Sequence, residues 1–282
     1  MAEPSRAFKK RLDHAKGFVL DMDGTLVLGD KRNKGLTALP GAIDLIAHLR
    51  ERGLPFVAFT NGTVRPPRDY VEELAHAGLA LHESEIMTPS SVAADYLPRK
   101  GFRRVMAMGG DGVGGPLAAA GLEVLKPPEH DAIDAIFVGW FRDFSMNDIE
   151  AACEAVWGGA KLFSASLAPF FATANGRTLG TSCAIVGAIR QITGCPVRLL
   201  GKPSLEGLRV ASRKLRVPMA DLAVIGDDPG LEIQMAHKGG ALAIGVTTGI
   251  AQRDAFTSVP KEKRAHFIAA NVGEVLDLWR GA

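Results

Sequence analysis

The 282-residue sequence has little of several features that mark specialised classes of protein. It contains only three cysteines, an odd and widely spaced set, which predicts buried thiols rather than a disulfide framework or a zinc site. Its formal net charge is only +2, so we expect no strong field for nucleic acid or an acidic membrane. The hydrophobic content of 47% and charged content of 23% are typical of a soluble globular protein.

Long hydrophobic segments are also missing. No uncharged apolar run reaches the length of a membrane span, and residues 1–16 are polar and charged, without the apolar core of a signal peptide. The sequence contains neither internal repeats nor low-complexity tracts. We therefore expect a cytoplasmic protein without nucleic-acid or membrane partners. Its length allows one large domain or two ordinary ones.

Residues 18–26 carry the strongest local signal in the sequence. An apolar run typical of a buried strand ends in Asp21 and Asp23, and Gly24 allows the chain to turn sharply. Both carboxylates should lie at the carboxyl end of a strand, where open α/β sheets bind ligands, and should point to the same side. Two carboxylates this close repel each other, which calls for a cation, a shared proton, or both. The plain alternative is a strand-end acid followed by a turn Asp.

A second strand is predicted at residues 55–59, and it ends in the polar sequence Thr60-Asn61-Gly62. The helical spacing of residues 42–52 places a helix between the first two strands, which makes them parallel neighbours with their ends side by side. These three residues should therefore lie near the two acids. An ordinary Asn-Gly turn is the alternative interpretation.

Two later segments also place charged residues next to apolar runs. Lys202 stands between an apolar run and Pro203, which can start a helix, although most lysines are solvated surface charges. Residues 222–226 predict a third buried strand, which ends in Asp227 and Asp228. An N-cap role before the next helix suits Asp228 better than Asp227.

The sequence Asp21-Met22-Asp23-Gly24-Thr25 resembles the first motif of the haloacid dehalogenase superfamily in its phosphatase form. The resemblance implies that Asp21 is the nucleophile that forms an aspartyl-phosphate. It also implies that Asp23 protonates the leaving alcohol and later activates water, and the dehalogenases themselves lack this second Asp. The chemistry agrees, because a positioned carboxylate can attack phosphorus when a metal cancels its charge.

The resemblance extends to the phosphate-binding residues of the family. It implies that Thr60 binds the phosphoryl oxygens at the tip of the second strand, with Asn61 and Gly62 beside it. It further implies that Lys202, in the sequence Gly-Lys-Pro, pairs with the nucleophile and the phosphoryl group. Such a cation offsets the repulsion that would otherwise oppose attack by one anion on another.

The resemblance also implies a metal site. Asp227 matches the family's metal-binding acid and would bind Mg²⁺ together with Asp21 and the backbone carbonyl of Asp23, an oxygen set suited to that ion. The family often has a further Asp where this chain has Glu232. We expect Glu232 and Asp228 to support the site, Glu232 through water to the metal or by holding Lys202.

The fold class implied by the resemblance is α/β, with a Rossmann-like parallel-sheet core and an inserted α/β cap of the C2 type, as in NagD-type (class IIA) members. The alternation of helix and strand restarts near residue 89. We therefore expect residues 1–88 and 199–282 to form the core and residues 89–198 the cap. Caps of this type often pair in the family, which makes a homodimer through the cap a further hypothesis.

One motif in the expected cap competes with this interpretation. The sequence Gly110-Asp111-Gly112-Val113-Gly114-Gly115 fits the dinucleotide-binding fingerprint, after a predicted strand and before a predicted helix. We favour a plain glycine-rich loop, because Pro116 follows at once and the chain offers a full phosphate-transfer set elsewhere. A dinucleotide-binding or non-catalytic protein is the alternative, and a phosphotransferase could use the same site.

The expected cap also departs from the family. Trp140, Phe141 and Met146 stand where the family's cap carries an acid and a Tyr. As apolar residues in general do, Phe141 and Met146 should belong to the core; if they face the site instead, the leaving group should be apolar or aromatic rather than a small acid. The function expected is Mg²⁺-dependent hydrolysis of small phosphorylated metabolites through an aspartyl-phosphate.

Overall fold

The computed structural model describes residues 5–29, 35–129, 132–173, 176–249 and 251–281. The chain divides into two compact units, each with its own parallel sheet. The first unit comprises Met1–Thr60, Val71–Ile86 and Leu208–Ala282. The second comprises Asn61–Tyr70 and Met87–Gly207. The core and cap boundaries expected from the sequence stay a prediction.

Strands and helices alternate along most of the chain. In chain order, strands β1 to β15 span Gly17–Asp21, Val27–Leu28, Thr37–Ala38, Phe56–Phe59, Ile86–Met87, Arg104–Met108, Glu123–Leu125, Ala135–Val138, Lys161–Ser164, Phe170–Thr173, Gly176–Leu179, Val197–Leu199, Leu222–Gly226, Leu242–Val246 and Phe267–Ala269. Helices α1 to α11 span Arg6–Asp13, Ala42–Glu51, Pro67–His76, Pro89–Arg99, Asp111–Ala119, Met146–Trp157, Thr181–Thr193, Leu205–Leu215, Gln234–Gly239, Arg253–Thr257 and Val272–Arg280. In the described ranges, no helix has both the length and the apolar character required to cross a membrane.

The first unit is built on a six-stranded sheet with the order β15-β14-β13-β1-β4-β5. The neighbouring strands from β15 to β4 run parallel. Strands β1, β4, β13 and β14 are buried along their whole length, as in sheets that helices cover on both faces. The predicted α/β fold is confirmed, and β1 and β4 are the parallel neighbours that the sequence predicts.

Aromatic contacts pack the terminal helices onto this sheet. The ring of Phe18 in β1 lies 5.1 Å from that of Trp279 in α11, and Phe8 in α1 stacks on Phe267 in β15 at 4.8 Å. Helix α1 is not among the helices that the sequence predicts. It buries Phe8 and Leu12, and the Ser5 hydroxyl caps its N-terminus by accepting from the N–H of Phe8 at 3.2 Å.

The second unit contains a five-stranded sheet with the order β12-β9-β8-β6-β7, and all of its neighbouring strands are parallel. Apolar side chains of β6, β8, β9, α6 and α7 form its core, among them Met106, Ile136, Leu162, Ala152 and Val186. Strands β10 and β11 form a separate antiparallel hairpin. The second unit is therefore an α/β unit, as the sequence pattern indicates.

The glycine-rich motif after β6 is a helix start, so its interpretation as a plain loop is wrong. Gly110 is the N-cap, and α5 begins at Asp111. Close packing explains the central glycine: a Cβ added to Gly112 would lie 2.4 Å from the backbone oxygen of Thr63 and 2.5 Å from the backbone nitrogen of Arg65. The approach of two backbones thus accounts for Gly112, the central glycine of the motif, without a dinucleotide.

Candidate active site

Two of the predicted acids lie at the carboxyl ends of neighbouring strands in the first unit. Asp21 is the last residue of β1, and Asp227 follows β13 directly. The two strands run parallel with Leu20 opposite Ile225, so their ends reach the same edge of the sheet. The chain runs outward from β1 through β4 on one side and from β13 through β14 on the other. Such a switch point is where open α/β sheets form a ligand crevice.

The turn after β1 holds the Asp21 carboxylate. Gly24 has a φ of +90°, in the left-handed region that favours glycine, and its N–H donates to the backbone oxygen of Val27 at 2.8 Å. The hydroxyl of Thr25 donates to Asp21 Oδ2 at 2.9 Å. Asp21 is only 4% exposed, so this bond compensates part of the cost of burying a carboxylate.

Thr60 joins the acids at the end of the next strand. It follows β4 directly, and β4 pairs with β1 so that Phe59 lies opposite Asp21. The Thr60 hydroxyl donates to Asp23 Oδ2 at 2.7 Å. The structure therefore brings the predicted strand-tip threonine to the predicted acid–base residue.

Two glycines form a cradle for the Asp227 carboxylate. A Cβ added to Gly24 would lie 2.6 Å from Asp227 Oδ2, and one added to Gly249 would lie 1.9 Å from the same atom. Thr248 donates its hydroxyl to the backbone oxygen of Gly24 at 2.6 Å, which ties the second glycine segment to the turn after β1. A side chain at either glycine would displace the carboxylate. The two glycines therefore allow Asp227 to lie next to Gly24 in the turn after β1.

Sequence reasoning missed Thr248 and Gly249, although a signal for them exists. They lie just beyond β14, which neighbours β13, at the same edge of the sheet as the acids. The polar sequence Thr247-Thr248-Gly249 after a buried apolar run is therefore a fourth polar strand end, of the kind that identified the other three.

The two supporting acids interact with each other. Asp228 is the N-cap of a π-helical turn at Pro229–Ile233, and its Oδ1 accepts from the N–H of Gly230 at 2.7 Å. Glu232 is 1% exposed, and its Oε2 accepts from the N–H of Asp228 at 3.1 Å. The helix predicted from residue 229 is thus a π-helical turn followed by α9, and the N-cap role expected for Asp228 is confirmed.

The remaining predicted phosphate-binding residues belong to the second unit. Lys202 is 3% exposed in the loop after β12, and the side chain of Asn61 hydrogen-bonds its backbone. Gly62, next to Asn61, is half-buried. The structure thus brings Asn61 and Lys202 together in one unit, and Asp21, Asp23, Thr60 and Asp227 together in the other.

The donor set of the first unit suits Mg²⁺. In the part of the chain that the structure describes, no three side chains of His, Cys, Asp or Glu converge as a metal site. The predicted set, however, contains two buried carboxylates, Asp21 and Asp227, with the backbone carbonyl of Asp23 as its third oxygen. Mg²⁺ typically takes one or two protein carboxylates and keeps several waters, which such a set allows. The glycine cradle leaves the Asp227 carboxylate little room to move.

The residues that depart from the family's cap pattern have different surroundings. Phe141 packs edge-on against Phe144 at 5.2 Å, and its N–H donates to the Thr181 hydroxyl at 3.2 Å. Met146, the first residue of α6, is 74% exposed, so the core placement expected for it is wrong. Trp140 donates its backbone N–H to the Thr63 hydroxyl at 2.7 Å.

Comparison with known proteins adds independent findings. A model described as haloacid dehalogenase-like hydrolase matches residues 18–123, and one described as HAD-hydrolase-like matches residues 199–275. The chain is 25% identical over 236 residues to the acid sugar phosphatase of Staphylococcus haemolyticus, covering 83% of this chain and 86% of the relative. It is also 25% identical over 261 residues to the ribonucleotide monophosphatase NagD of Escherichia coli, covering 92% and 98%.

A solved structure extends the likeness to the whole fold. The 4-nitrophenylphosphatase of Thermotoga maritima superposes on this chain with a TM-score of 0.84 at 25% identity. The superposition covers 95% of this chain and 99% of that structure. The relatives therefore match this chain over most of their own length, and the family models together match more than half of it.

Proposed function

The chain belongs to the haloacid dehalogenase-like hydrolases and is a phosphatase of the NagD type, and on this basis we propose that it is a Mg²⁺-dependent phosphomonoesterase that uses an aspartyl-phosphate on Asp21. Its substrates are small phosphorylated metabolites. The observation that carries the proposal is the juxtaposition of Asp21 and Asp227 at adjacent strand ends, with Asp23 held by Thr60. Buried carboxylates are costly to retain in this number unless they are used or paired.

In the first half-reaction, Asp21 attacks the phosphorus in line. A new bond forms between its carboxylate and phosphorus, the ester bond to the leaving oxygen breaks, and Asp23 gives that oxygen a proton. The hydrogen bond from Thr25 orients the Asp21 carboxylate, and the bond from Thr60 orients Asp23. Positioning of this kind can supply a large part of the rate acceleration in phosphoryl transfer.

In the second half-reaction, Asp23 takes a proton from water as the water attacks the phosphorus. The bond between phosphorus and Asp21 breaks, and phosphate leaves. Asp21, Asp227 and the backbone carbonyl of Asp23 would hold Mg²⁺, which supplies positive charge against the repulsion between nucleophile and substrate. Asp228 and Glu232 support the strand end that carries Asp227 through their mutual hydrogen bond.

The phosphoryl oxygens are assigned to Thr60, Asn61, Gly62 and Lys202. Lys202 contributes positive charge. Because the Thr60 hydroxyl donates to Asp23, its contact with a phosphoryl oxygen requires exchange of that bond. The family resemblance at these positions and the observed placement of Thr60 beside Asp23 support this assignment.

The test is colourimetric. The protein is incubated with p-nitrophenyl phosphate in the presence of Mg²⁺ and then with EDTA, and Asp21→Asn serves as the inactive variant. We expect that release of p-nitrophenol requires Mg²⁺ and is lost in the Asp21→Asn variant. If p-nitrophenol is released equally with and without EDTA, and also by Asp21→Asn, the proposal is wrong. Binding of NADH, measured by its fluorescence, would favour a dinucleotide site instead.

The substrate preference is proposed from the cap. Trp140, Phe141 and Met146 replace the family's acid and Tyr, and Met146 is exposed. Where these side chains face the site, we propose an apolar or aromatic leaving group for the substrate. The measurement is kcat/KM for p-nitrophenyl phosphate against phosphoglycolate, and a preference for phosphoglycolate would contradict this assignment.

A further inference from the structure

The side chain of Asn61 is committed to the backbone of Lys202. Its Oδ1 accepts from the Lys202 N–H at 2.8 Å, and its Nδ2 donates to the Lys202 backbone oxygen at 3.1 Å. The two residues are 141 positions apart in the sequence, so this paired contact links two distant segments of the second unit. We call it the Asn61 clamp.

Only an amide suits the clamp. Lys202 presents one N–H and one C=O, and Asn is the short side chain that carries one acceptor oxygen and one donor nitrogen. An ionised Asp of the same size accepts at both oxygens, so it would keep one bond and oppose the other. The clamp fixes the backbone on both sides of the Lys202 Cα, and hence the direction in which the side chain leaves the loop.

The residue before Lys202 is shaped to admit the clamp. A Cβ added to Gly201 would lie 2.1 Å from the Ala165 backbone oxygen and 2.6 Å from Asn61 Oδ1. Hydrogen bonds anchor the loop on either side as well, from the Leu200 N–H to the Ser164 oxygen at 2.9 Å and from the Ser204 N–H to the Gly201 oxygen at 2.8 Å. The loop is therefore held at every second residue, and Asn61 holds the lysine itself.

We propose that Asn61 is a positioning residue for Lys202: its side chain sets the place of the ammonium group and does not itself bind the phosphoryl group. The inference rests on the proposed function, because the role of Lys202 in phosphoryl transfer is part of it. Asn61 can still present its backbone N–H to the phosphoryl group. Thr60 and Asn61 are adjacent in the sequence. The Thr60 side chain hydrogen-bonds Asp23, and the Asn61 side chain hydrogen-bonds the backbone of Lys202.

The test is a double-mutant cycle with Asn61→Ala, Lys202→Met and the double variant. It is measured on Mg²⁺-dependent hydrolysis of p-nitrophenyl phosphate and on calorimetric binding of inorganic phosphate, which needs no turnover. Asn147→Ala, at an exposed position of α6, is the matched control. Asn61→Leu, an uncharged side chain of similar size that can make neither bond, carries the same cycle if Asn61→Ala does not fold.

We expect Asn61→Ala to lower kcat by about 10- to 100-fold with a much smaller change in KM, because a misplaced ammonium group weakens the transition state. In the Lys202→Met background the same substitution should change kcat and phosphate affinity by less than about twofold. Asn147→Ala should match the wild type.

Multiplicative effects of the two substitutions would overturn the inference, because they would show that Asn61 acts independently of Lys202. A selective rise in KM for Asn61→Ala would do the same, since it would indicate direct substrate binding. A wild-type protein that neither hydrolyses p-nitrophenyl phosphate nor binds inorganic phosphate would overturn the proposed function first. Activity in the wild type combined with multiplicative effects removes only the role of Asn61.

Discussion

The turns after β1 and after β6 look alike in the sequence and differ in the structure. Each follows a parallel strand and contains Asp and Gly. After β1, Asp21 is 4% exposed and accepts a hydroxyl hydrogen bond. After β6, Asp111 is exposed and pairs with Arg68 at 2.5 Å, while Gly112 lets α5 approach the backbone of Thr63.

The two turns differ in the energetic cost of placing a carboxylate there. An exposed ion pair costs little to form and contributes little to stability. A buried carboxylate carries a large desolvation cost, which the protein must offset with hydrogen bonds or a cation. The buried acid after β1 therefore favours a chemical role, whereas Gly112 after β6 is explained by close contact between backbones.

The largest effect should come from exchanging one carboxylate in each turn for an amide. Asp21→Asn should lower kcat with p-nitrophenyl phosphate by at least about four orders of magnitude, because it removes the nucleophile. Asp111→Asn should leave kcat within about twofold, because it loses only an exposed ion pair. Steady-state kinetics with Mg²⁺ check both, and equal losses in the two variants would remove the distinction between the turns.

Replacing a glycine by alanine in each region should have different effects on metal binding and on stability. Gly249→Ala places a Cβ 1.9 Å from Asp227 Oδ2, and we expect the Mg²⁺ concentration for half-maximal activity to rise by about 10- to 100-fold. Gly112→Ala places one 2.4 Å from the Thr63 oxygen and should cost about 1–3 kcal/mol of stability with the Mg²⁺ requirement unchanged. Mg²⁺ titrations and urea unfolding measure the two effects. An unchanged Mg²⁺ requirement in Gly249→Ala would contradict the metal role of Asp227.

A pair of buried threonines offers a finer comparison. Thr60→Val removes the donor to Asp23 Oδ2, so kcat should fall by about tenfold or more. Thr63→Val removes the acceptor for the Trp140 N–H and should cost about 1–3 kcal/mol, while kcat stays near the wild-type value. Kinetics and thermal unfolding of both variants separate a site threonine from a structural one. The assignment fails if Thr63→Val is the less active protein at a temperature where both are folded.

The smallest effect concerns acid stability. Burial, together with the charge of Arg11 and the neighbouring His237, lowers the pKa of His266 to about 4 from its ordinary 6.5. Its contribution to stability is complete above pH 6.5 and is lost as the pH falls towards 4, because only the unfolded chain binds the proton in that window. Partial exposure limits the expected loss to about 1–2 kcal/mol.

Asp134 in the second unit should behave differently. Backbone N–H groups of Arg104 and Arg103 lower the pKa of its carboxyl, so the stability that it contributes is lost only as the pH falls below the ordinary value of 3.8. The free energy of unfolding, measured by urea denaturation as a function of pH, tests the predictions for His266 and Asp134. His266→Asn should flatten the dependence between pH 6.5 and 4, and a slope that persists there would contradict the assignment of His266.

The sequence was sufficient for the buried strands of the candidate site and for the polar residues at their ends. Buried apolar runs predict β1, β4 and β13, and parallel pairing follows from the helix between the first two. The sequence was insufficient where contacts between distant segments contribute to a helix. Helix α1 buries two side chains, and Gly112 at the start of α5 lies against the Thr63 segment. Local patterns carry neither contact.

The details of the site divide in the same way. Strand ends gather Asp21, Thr60 and Asp227, because neighbouring parallel strands end at one edge of a sheet. The Asn61 clamp joins residues 141 positions apart, and only the fold brings them together. The sequence could place Asn61 at the end of β4, but it could not identify the partner of its side chain.

In the proposed mechanism, Asp21 carries the phosphoryl group during turnover. The direct measurement is mass spectrometry of the protein after rapid acid quenching during turnover of p-nitrophenyl phosphate, followed by peptide mapping. We expect one added phosphoryl group on Asp21, and none on the Asp21→Asn variant. Turnover with no phosphorylated enzyme, or with the group on another residue, would contradict it.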